Sequence, residues 1–135
     1  MTNTDEAALY DVMQGVATIT LNRPENRNAL SIEMVNCVGD HFQTAQNDDA
    51  VRVILFTNNG NTFCAGADLK ANQPGVPQPA ARHSFVQILD DIIESPKPVW
   101  VGLPGTALEE ASVLQRCLTS LSLRMTSSWA SPRFA

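Results

Sequence analysis

The sequence has little positive charge, and that shortage excludes one large class of partners. Nine lysines and arginines stand against fourteen aspartates and glutamates, which gives a net charge of −5 at pH 7. A surface that binds nucleic acid needs a clustered excess of basic residues, because contacts to phosphates supply much of the affinity. We therefore expect no nucleic-acid partner.

Long apolar runs and paired cysteines are also missing. No stretch approaches the roughly 18 consecutive apolar residues of a membrane-spanning helix, and the first residues, MTNTDE, are polar and acidic, unlike those of a secretory signal. The cysteines are Cys37, Cys64 and Cys117, without C-x-x-C spacing. This scattered, odd set favours reduced thiols over a disulfide framework or a zinc site. We predict a cytoplasmic protein with no membrane partner and no bound metal.

The hydrophobic pattern predicts a single α/β domain. At 135 residues the chain is long enough to bury one core. Strands are predicted at residues 9–12, 16–21, 51–57 and 99–101, and helices at 32–46 and 80–94. Ser31 is the predicted N-cap of the first helix, and the polar, proline-rich residues 71–79 are predicted to form a loop. This β-β-α-β-loop-α-β order is typical of an α/β layer fold.

Two motifs stand out on this framework. The first runs Gly15-Val-Ala-Thr-Ile-Thr-Leu-Asn-Arg-Pro-Glu-Asn-Arg-Asn-Ala-Leu30, and the second runs Asn61-Thr-Phe-Cys-Ala-Gly-Ala-Asp-Leu-Lys70 directly after a predicted buried strand. Alanine and glycine let a flat ligand lie against the backbone, where a free N–H can point at a developing oxyanion. Taken alone, the second motif could also be an ordinary tight connection between a strand and a helix.

In this order and spacing, the two motifs resemble the N-terminal half of the enoyl-CoA hydratase/isomerase (crotonase) family. The resemblance covers about residues 9–99. It implies an α/β, crotonase-like fold of the ββα-type spiral, truncated after the strand that begins Lys97-Pro98-Val99. It also implies an acyl-CoA thioester substrate, no metal or redox cofactor since coenzyme A is part of the substrate, and a homotrimer or hexamer.

The family's functional residues can be placed on this sequence through the two motifs. The resemblance implies that Ala67 supplies a backbone N–H to the oxyanion hole and that Lys70 reaches a CoA phosphate. The residues implied to line the adenine end of CoA are Ala65, Asp68 and Leu69. The residues implied to shape the CoA-facing edge of the first turn are Arg23, Asn28, Ala29 and Leu30.

Three other residues are weaker candidates. His83 would border the acyl pocket by family resemblance, although a structural histidine is the simpler interpretation. Cys64 lies beside the second motif, but an activated thiolate needs a base or cation that the sequence does not specify, so we predict a packing role. His41 is predicted to be a surface residue of the first helix.

The second half of the family pattern is absent. After Lys97-Pro98-Val99 the family has a glycine-rich loop with the second oxyanion N–H, followed by one or two glutamates; here residues 118–135 are instead rich in Ser, Thr and Arg. Read one base out of frame from Val99, with synonymous codons chosen freely, the chain can give TGGGVGL and later FAEVR. Trp100-Val101 then forces Gly, and Met125-Thr126 forces Asp.

We therefore hypothesise that residues 1–99 are the N-terminal part of a crotonase-like domain and that residues 100–135 are an out-of-frame tail. A short paralogue or splice form with a new C-terminus is the alternative. Without the second oxyanion donor and the glutamate, we expect negligible activity from this chain alone.

Overall fold

The computed structural model of the protein describes residues 5–71 and 73–103. Its elements are β1 (Ala8–Met13), β2 (Val16–Leu21), a 3₁₀ helix (Pro24–Asn26), α1 (Ile32–Asn47), β3 (Val53–Asn58), α2 (Phe85–Ile93) and β4 (Val99–Val101). The predicted α/β order is confirmed. Most of the predicted tail, residues 104–135, lies outside the described residues.

The strands form one mixed sheet in the order β1-β2-β3-β4. β1 and β2 are an antiparallel hairpin closed by Gln14 and Gly15, whose φ angles of 52° and 83° suit a tight two-residue turn. β2 pairs with β3, and β3 with β4, in parallel. Each parallel pair is connected through a helix, because parallel neighbours need a crossover of a dozen or more residues.

The core lies between one face of the sheet and α1. Side chains of β2 alternate between buried and partly buried positions, so that Ala17, Ile19 and Leu21 all point to the helix side. The buried apolar residues of α1 are Met34, Val38, Phe42 and Ala45. They recur at helical spacing and form one stripe.

The ends of α1 are held by side chains. Ser31 accepts a hydrogen bond from the N–H of Met34 at 3.1 Å, which confirms the predicted N-cap. At the other end, Nζ of Lys97 donates to the carbonyls of Ala45 and Asp48, both at 2.7 Å. A cation there satisfies free carbonyls and complements the helix dipole.

Two predicted boundaries were wrong by more than one residue. The second helix begins at Phe85 rather than at residue 80. The backbone groups just before Phe85 are hydrogen-bonded to the side chain of Asn36 on α1 and are therefore not available for helical bonds. Asn36 donates to the carbonyl of Ala80 and accepts from the N–H groups of Arg82 and His83. The third strand begins at Val53, since the N–H of Val51 instead bonds the carbonyl of Asp48 in a turn.

The other face of the sheet is more open. Trp100 of β4 lies opposite Leu55 of β3 and is 66% exposed. Within the part of the chain that the structure describes, β4 has only β3 as a neighbour. In that part of the structure, β4 presents an unpaired edge next to a large exposed apolar side chain. Among the described residues, no helix has the length and apolar character needed to cross a membrane.

Candidate active site

The structure brings the two sequence motifs side by side. The N–H of Leu30 donates to the carbonyl of Gly66 at 2.7 Å, and the N–H of Asp68 donates to the carbonyl of Leu30 at 3.3 Å. These bonds form an isolated parallel bridge between Leu30 and Ala67. One turn earlier, the N–H of Ala65 donates to the carbonyl of Arg27 at 3.0 Å. The second motif is therefore laid along the first by main-chain bonds.

The bridge leaves the backbone N–H of Ala67 available. In a parallel pair, the residue opposite the bonded one directs its own N–H and C=O away from that partner. Ala67 is exposed, and no acceptor within residues 5–71 and 73–103 bonds its N–H. This donor can therefore bond a ligand atom without first breaking a bond within the described structure.

Gly66 adopts a positive φ angle that the turn between Cys64 and Ala67 requires. Its φ of 91° lies in a region that glycine adopts freely and other residues rarely do. A Cβ at this position would meet no heavy atom within 4 Å. The glycine is thus required by backbone conformation rather than by close packing against a neighbour.

The carboxylate of Asp68 holds the end of the segment. Its Oδ1 accepts from the N–H groups of Lys70 and Ala71, both at 3.0 Å, and its Oδ2 accepts from Nδ2 of Asn26 at 2.7 Å. The hydrogen bond from the Ala71 N–H, followed by that from Asn26, lowers the pKa of the Asp68 carboxyl. Asp68 is 7% exposed, so the structure gives this predicted CoA contact a role inside its own loop.

Asn28 is the centre of a second set of bonds. It is fully buried, with a φ of 52°. Its Oδ1 accepts from the N–H of Arg23 at 2.8 Å, and its Nδ2 donates to the carbonyls of Asn59 and Thr62 at 3.0 and 2.8 Å. One side chain thereby ties the first turn to the loop that leads into the second motif.

The predicted CoA-facing residues differ in their surroundings. The guanidinium of Arg23 donates to Glu33 and to the carbonyls of Asp5, Glu6 and Asn22, none of which belongs to residues 65–70. Ala29 is buried. The residues of the second motif that are open to solvent are Asn61, Ala65, Ala67, Leu69 and Lys70. Within the described residues, the Lys70 ammonium makes no hydrogen bond or ion pair and is available to an anion.

An apolar cavity of about 80 Å³ lies beneath this surface, between the sheet and the two helices. Leu30, Phe63 and Cys64 connect its wall to the two motifs, and Phe85 and Ile88 contribute from α2. Burial raises the pKa of the Cys64 thiol, and its Sγ accepts from the N–H of Gly66 at 3.4 Å. Its position and protonated thiol agree with the predicted packing role.

The two histidines have structural partners. His83 packs so closely on Gly39 that a Cβ there would come within 2.4 Å of its ring, and its Nε2 lies 2.7 Å from Oδ1 of Asp40. His41 was predicted to be a surface residue, but its ring stacks on Tyr10 at 5.3 Å between centroids. Among the described residues, no group of three or more His, Cys, Asp and Glu side chains could hold a metal ion.

Sequence reasoning missed three residues of this region. Asn26 holds Asp68, Asn36 fixes the backbone before α2, and Arg27 lies exposed beside Ala65. The signal for Asn26 and Asn36 was weak, because an asparagine in a turn or on a helix is ordinarily solvated. Their partners lie 42 and 44 residues away in the sequence, beyond the reach of any local pattern.

A known protein family matches the part of the chain that carries this turn. The family model described as enoyl-CoA hydratase/isomerase matches residues 11–113, most of the chain, and includes both motifs. The chain belongs to the enoyl-CoA hydratase/isomerase family. The resemblance inferred from the two motifs is thereby confirmed.

Relatives of this family member carry both hydratase and isomerase names. The chain is 33% identical over 115 residues to 1,2-epoxyphenylacetyl-CoA isomerase of Escherichia coli (strain K12), a match that covers 81% of this chain and 44% of that protein. It is 35% identical over 98 residues to the probable enoyl-CoA hydratase echA6 of Mycobacterium leprae, covering 70% of this chain and 38% of the relative.

The fold comparison agrees. The structure is similar to the crystal structure of an enoyl-CoA hydratase/isomerase from Pseudoalteromonas atlantica T6c, with a TM-score of 0.61 and 32% sequence identity. That similarity covers 71% of this chain and 38% of the other. The crotonase-like fold is therefore shown, and the chain spans less than half the length of each of these three relatives.

Proposed function

We propose that the chain carries the CoA-binding side of an acyl-CoA hydratase/isomerase site and that the N–H of Ala67 stabilises the thioester enolate. The observation that carries this proposal is the Ala67 N–H, which has no acceptor among the described residues and lies in a turn held by hydrogen bonds on both sides. In this reaction class the thioester oxygen gains negative charge in the transition state. A fixed donor at that oxygen lowers the barrier by several kcal/mol.

The surrounding residues support binding of the CoA part. Lys70 lies three residues beyond Ala67 and presents an ammonium that can pair with a phosphate. Ala65 and Leu69 are exposed on the same segment and offer apolar surface to the adenine end. The buried side chains of Asn28 and Asp68 fix the two turns that carry these groups through hydrogen bonds.

The described residues place no acid/base group for the reaction in the cavity. Of the residues that the structure describes, those lining the cavity are all apolar apart from Cys64, and they include no carboxylate. This observation favours a second candidate function, a non-catalytic acyl-CoA-binding protein. We expect this chain alone to bind CoA without turnover at the rate of an intact enzyme. Its cytoplasmic location and its assembly into a trimer or hexamer stay predictions.

Thermal unfolding with and without CoA tests the binding. A ligand that binds only the folded state at 100 times its Kd stabilises that state by about 2.7 kcal/mol, so the midpoint should rise. Dephospho-CoA and the Lys70→Met variant form the other arms of the experiment. If Lys70 contacts the 3′-phosphate, the variant should bind CoA and dephospho-CoA equally; if it contacts the pyrophosphate, it should bind both more weakly.

Substitution of two glycines, one inside the site and one outside it, tests the role of the Ala67 N–H. Gly66 and Gly75 have φ angles of 91° and 92°, and a Cβ at either would meet nothing within 4 Å. Alanine at each position should therefore cost about 1 kcal/mol of stability through backbone strain. Only Gly66→Ala should also weaken CoA binding, because it redirects the adjacent Ala67 N–H.

Three outcomes are informative. A cooperative unfolding transition that no CoA ligand shifts would contradict the binding proposal. Absence of a cooperative transition would mean that the chain is a fragment that does not fold. Turnover of a short enoyl-CoA at the rate of an intact enzyme would refute the expectation that the chain lacks essential groups.

A further inference from the structure

We infer that Asn26 is a positioning residue for the proposed site: through Asp68 it fixes the backbone direction of residues 67–70. This inference rests on the proposed function for its consequence in binding. The geometric part can be tested without any ligand. Nothing in the two sequence motifs assigns a role to Asn26.

The first step is the distribution of bonds around Asp68. One carboxylate oxygen receives the N–H groups of Lys70 and Ala71, and the other receives the Asn26 amide at 2.7 Å. The Lys70 and Ala71 bonds wrap the backbone around the carboxylate. These two bonds fix the backbone direction only if the carboxylate is itself fixed. The hydrogen bond from the Asn26 amide fixes it.

The second step is that Asn26 is itself firmly placed. It is the last residue of the 3₁₀ helix, its N–H donates to the carbonyl of Arg23, and its carbonyl accepts from the N–H of Ala29, both at 3.1 Å. The neighbouring turn is tied down by the fully buried Asn28. Asn26 therefore links a turn held by its own hydrogen bonds to the carboxylate of Asp68.

The third step concerns the kind of group required. Asp68 presents only acceptors, so its partner at position 26 must donate. An aspartate at position 26 has the shape of asparagine but would place a second carboxylate against Oδ2 of Asp68. Two carboxylates at this distance cannot both stay ionised, and the pair would retain one proton up to an unusually high pH.

This requirement gives a test by exchange of the two side chains. In Asn26→Asp the bond is replaced by repulsion at pH 7.5, whereas in the double variant Asn26→Asp/Asp68→Asn the donor and acceptor simply change places. The amide oxygen at position 68 can still accept from Lys70 and Ala71. Asn59→Asp is the matched control, because Asn59 bonds Asn22 on the exposed side of the same loops.

The first readout is the protection of the Lys70 and Ala71 amides against hydrogen exchange, measured by NMR without ligand and corrected for intrinsic rates. Asn26→Asp should lose about tenfold in protection at pH 7.5 and regain it near about pH 5, when the pair shares a proton. The double variant should match the parent at both pH values. The Asn59→Asp control should show no change at these amides.

The second readout is CoA affinity across the same pH range. The Kd should rise about tenfold in Asn26→Asp at pH 7.5 and recover in the double variant. If exchange behaves as expected but the parent protein does not bind CoA, the proposed function fails while the positioning role stands.

Unchanged amide protection in a folded Asn26→Asp, or no recovery in the double variant, overturns the inference. If Asn26→Asp does not fold, Asn26→Ala replaces it, since it removes the donor without adding a charge. A folded Asn26→Ala with parent-like protection at Lys70 and Ala71 would overturn the inference equally.

Discussion

The two helices that cover the sheet differ in how firmly they are attached. Helix α1 buries six residues, including Phe42 and Asn36, whereas α2, within the described part of the chain, buries only Ile88. Phe85, Val86 and Ile93 of α2 remain 37 to 65% exposed. Both helices have a clear apolar side, so amphipathicity alone does not decide how much of a helix becomes core.

The difference follows from the contacts at the helix ends. Ser31 caps α1 with a side-chain bond and Lys97 holds its last turn, but Ser84 makes no such bond at the start of α2. The backbone before α2 is instead fixed by Asn36 of α1. We infer that α1 and the strands around it form the stable part and that α2 is attached to it.

The largest expected effect comes from a matched pair of phenylalanines. Phe42 is 1% exposed and stacks on Phe56 at 6.1 Å between ring centroids, whereas Phe85 is 37% exposed. Phe42→Ala should cost about 3–5 kcal/mol, and Phe85→Ala much less, because only the first leaves a cavity in the main core. Urea unfolding followed by circular dichroism measures both. Equal losses would mean that the two helices are equally important to stability.

Asn28 tests whether the stability of the α1 region extends to the candidate site. Asn28→Ala should cost about 1–3 kcal/mol, because it removes the acceptor for the part-buried N–H of Arg23 and one of the donors to the carbonyls of Asn59 and Thr62. Asn28→Gly removes the same bonds but accommodates the φ of 52°. A fully stable Asn28→Gly variant would show that backbone conformation, not hydrogen bonding, is what the asparagine supplies.

Lys97 lies between α2 and β4 in the chain, and its ammonium is hydrogen-bonded to the end of α1. Lys97→Met keeps most of the apolar stem and should cost about 1 kcal/mol through loss of two helix-terminal bonds. Lys70→Met is the control, because the Lys70 side chain is exposed, and its free energy of unfolding should stay within about 0.5 kcal/mol of that of the parent. A loss in the control equal to that in Lys97→Met would contradict the capping role.

The smallest expected effect is on the pH dependence of stability, through the contact of Asp40 with His83 just before α2. The hydrogen bond from His83 lowers the pKa of the Asp40 carboxyl below its ordinary value of 3.8. A lowered pKa means that this contribution is present above the unfolded value and is lost as pH falls through the folded one. Because Asp40 is 47% exposed, we expect less than about 1 kcal/mol.

The Asp40→Asn variant provides the comparison for that pH effect. The difference in stability between parent and variant should shrink as pH falls below about 4. A difference that stays constant between pH 7 and pH 3 would show that the carboxylate of Asp40 does not stabilise the residues before α2.

The sequence was sufficient for the elements and for the family, but not for the bonds that build the site. Val38 and Phe42 follow a helical period, and Ile19 and Leu21 a strand period, so the core of the α1 region could be predicted from local pattern. The start of α2 could not, because Asn36 competes for its backbone from a distant helix. For the same reason the role of Asp68 inside its own loop became visible only with Asn26 beside it.

The bridge between Leu30 and Ala67 has a consequence for the order of events in folding. Its two residues are far apart in the chain and follow the two strands β2 and β3, which pair in parallel across α1. Such non-local pairing forms late, because the entropy of closing the intervening segment must be overcome first. Competence to bind CoA should therefore appear in refolding no earlier than the slowest step of sheet assembly, which would make the ligand a probe of completed folding.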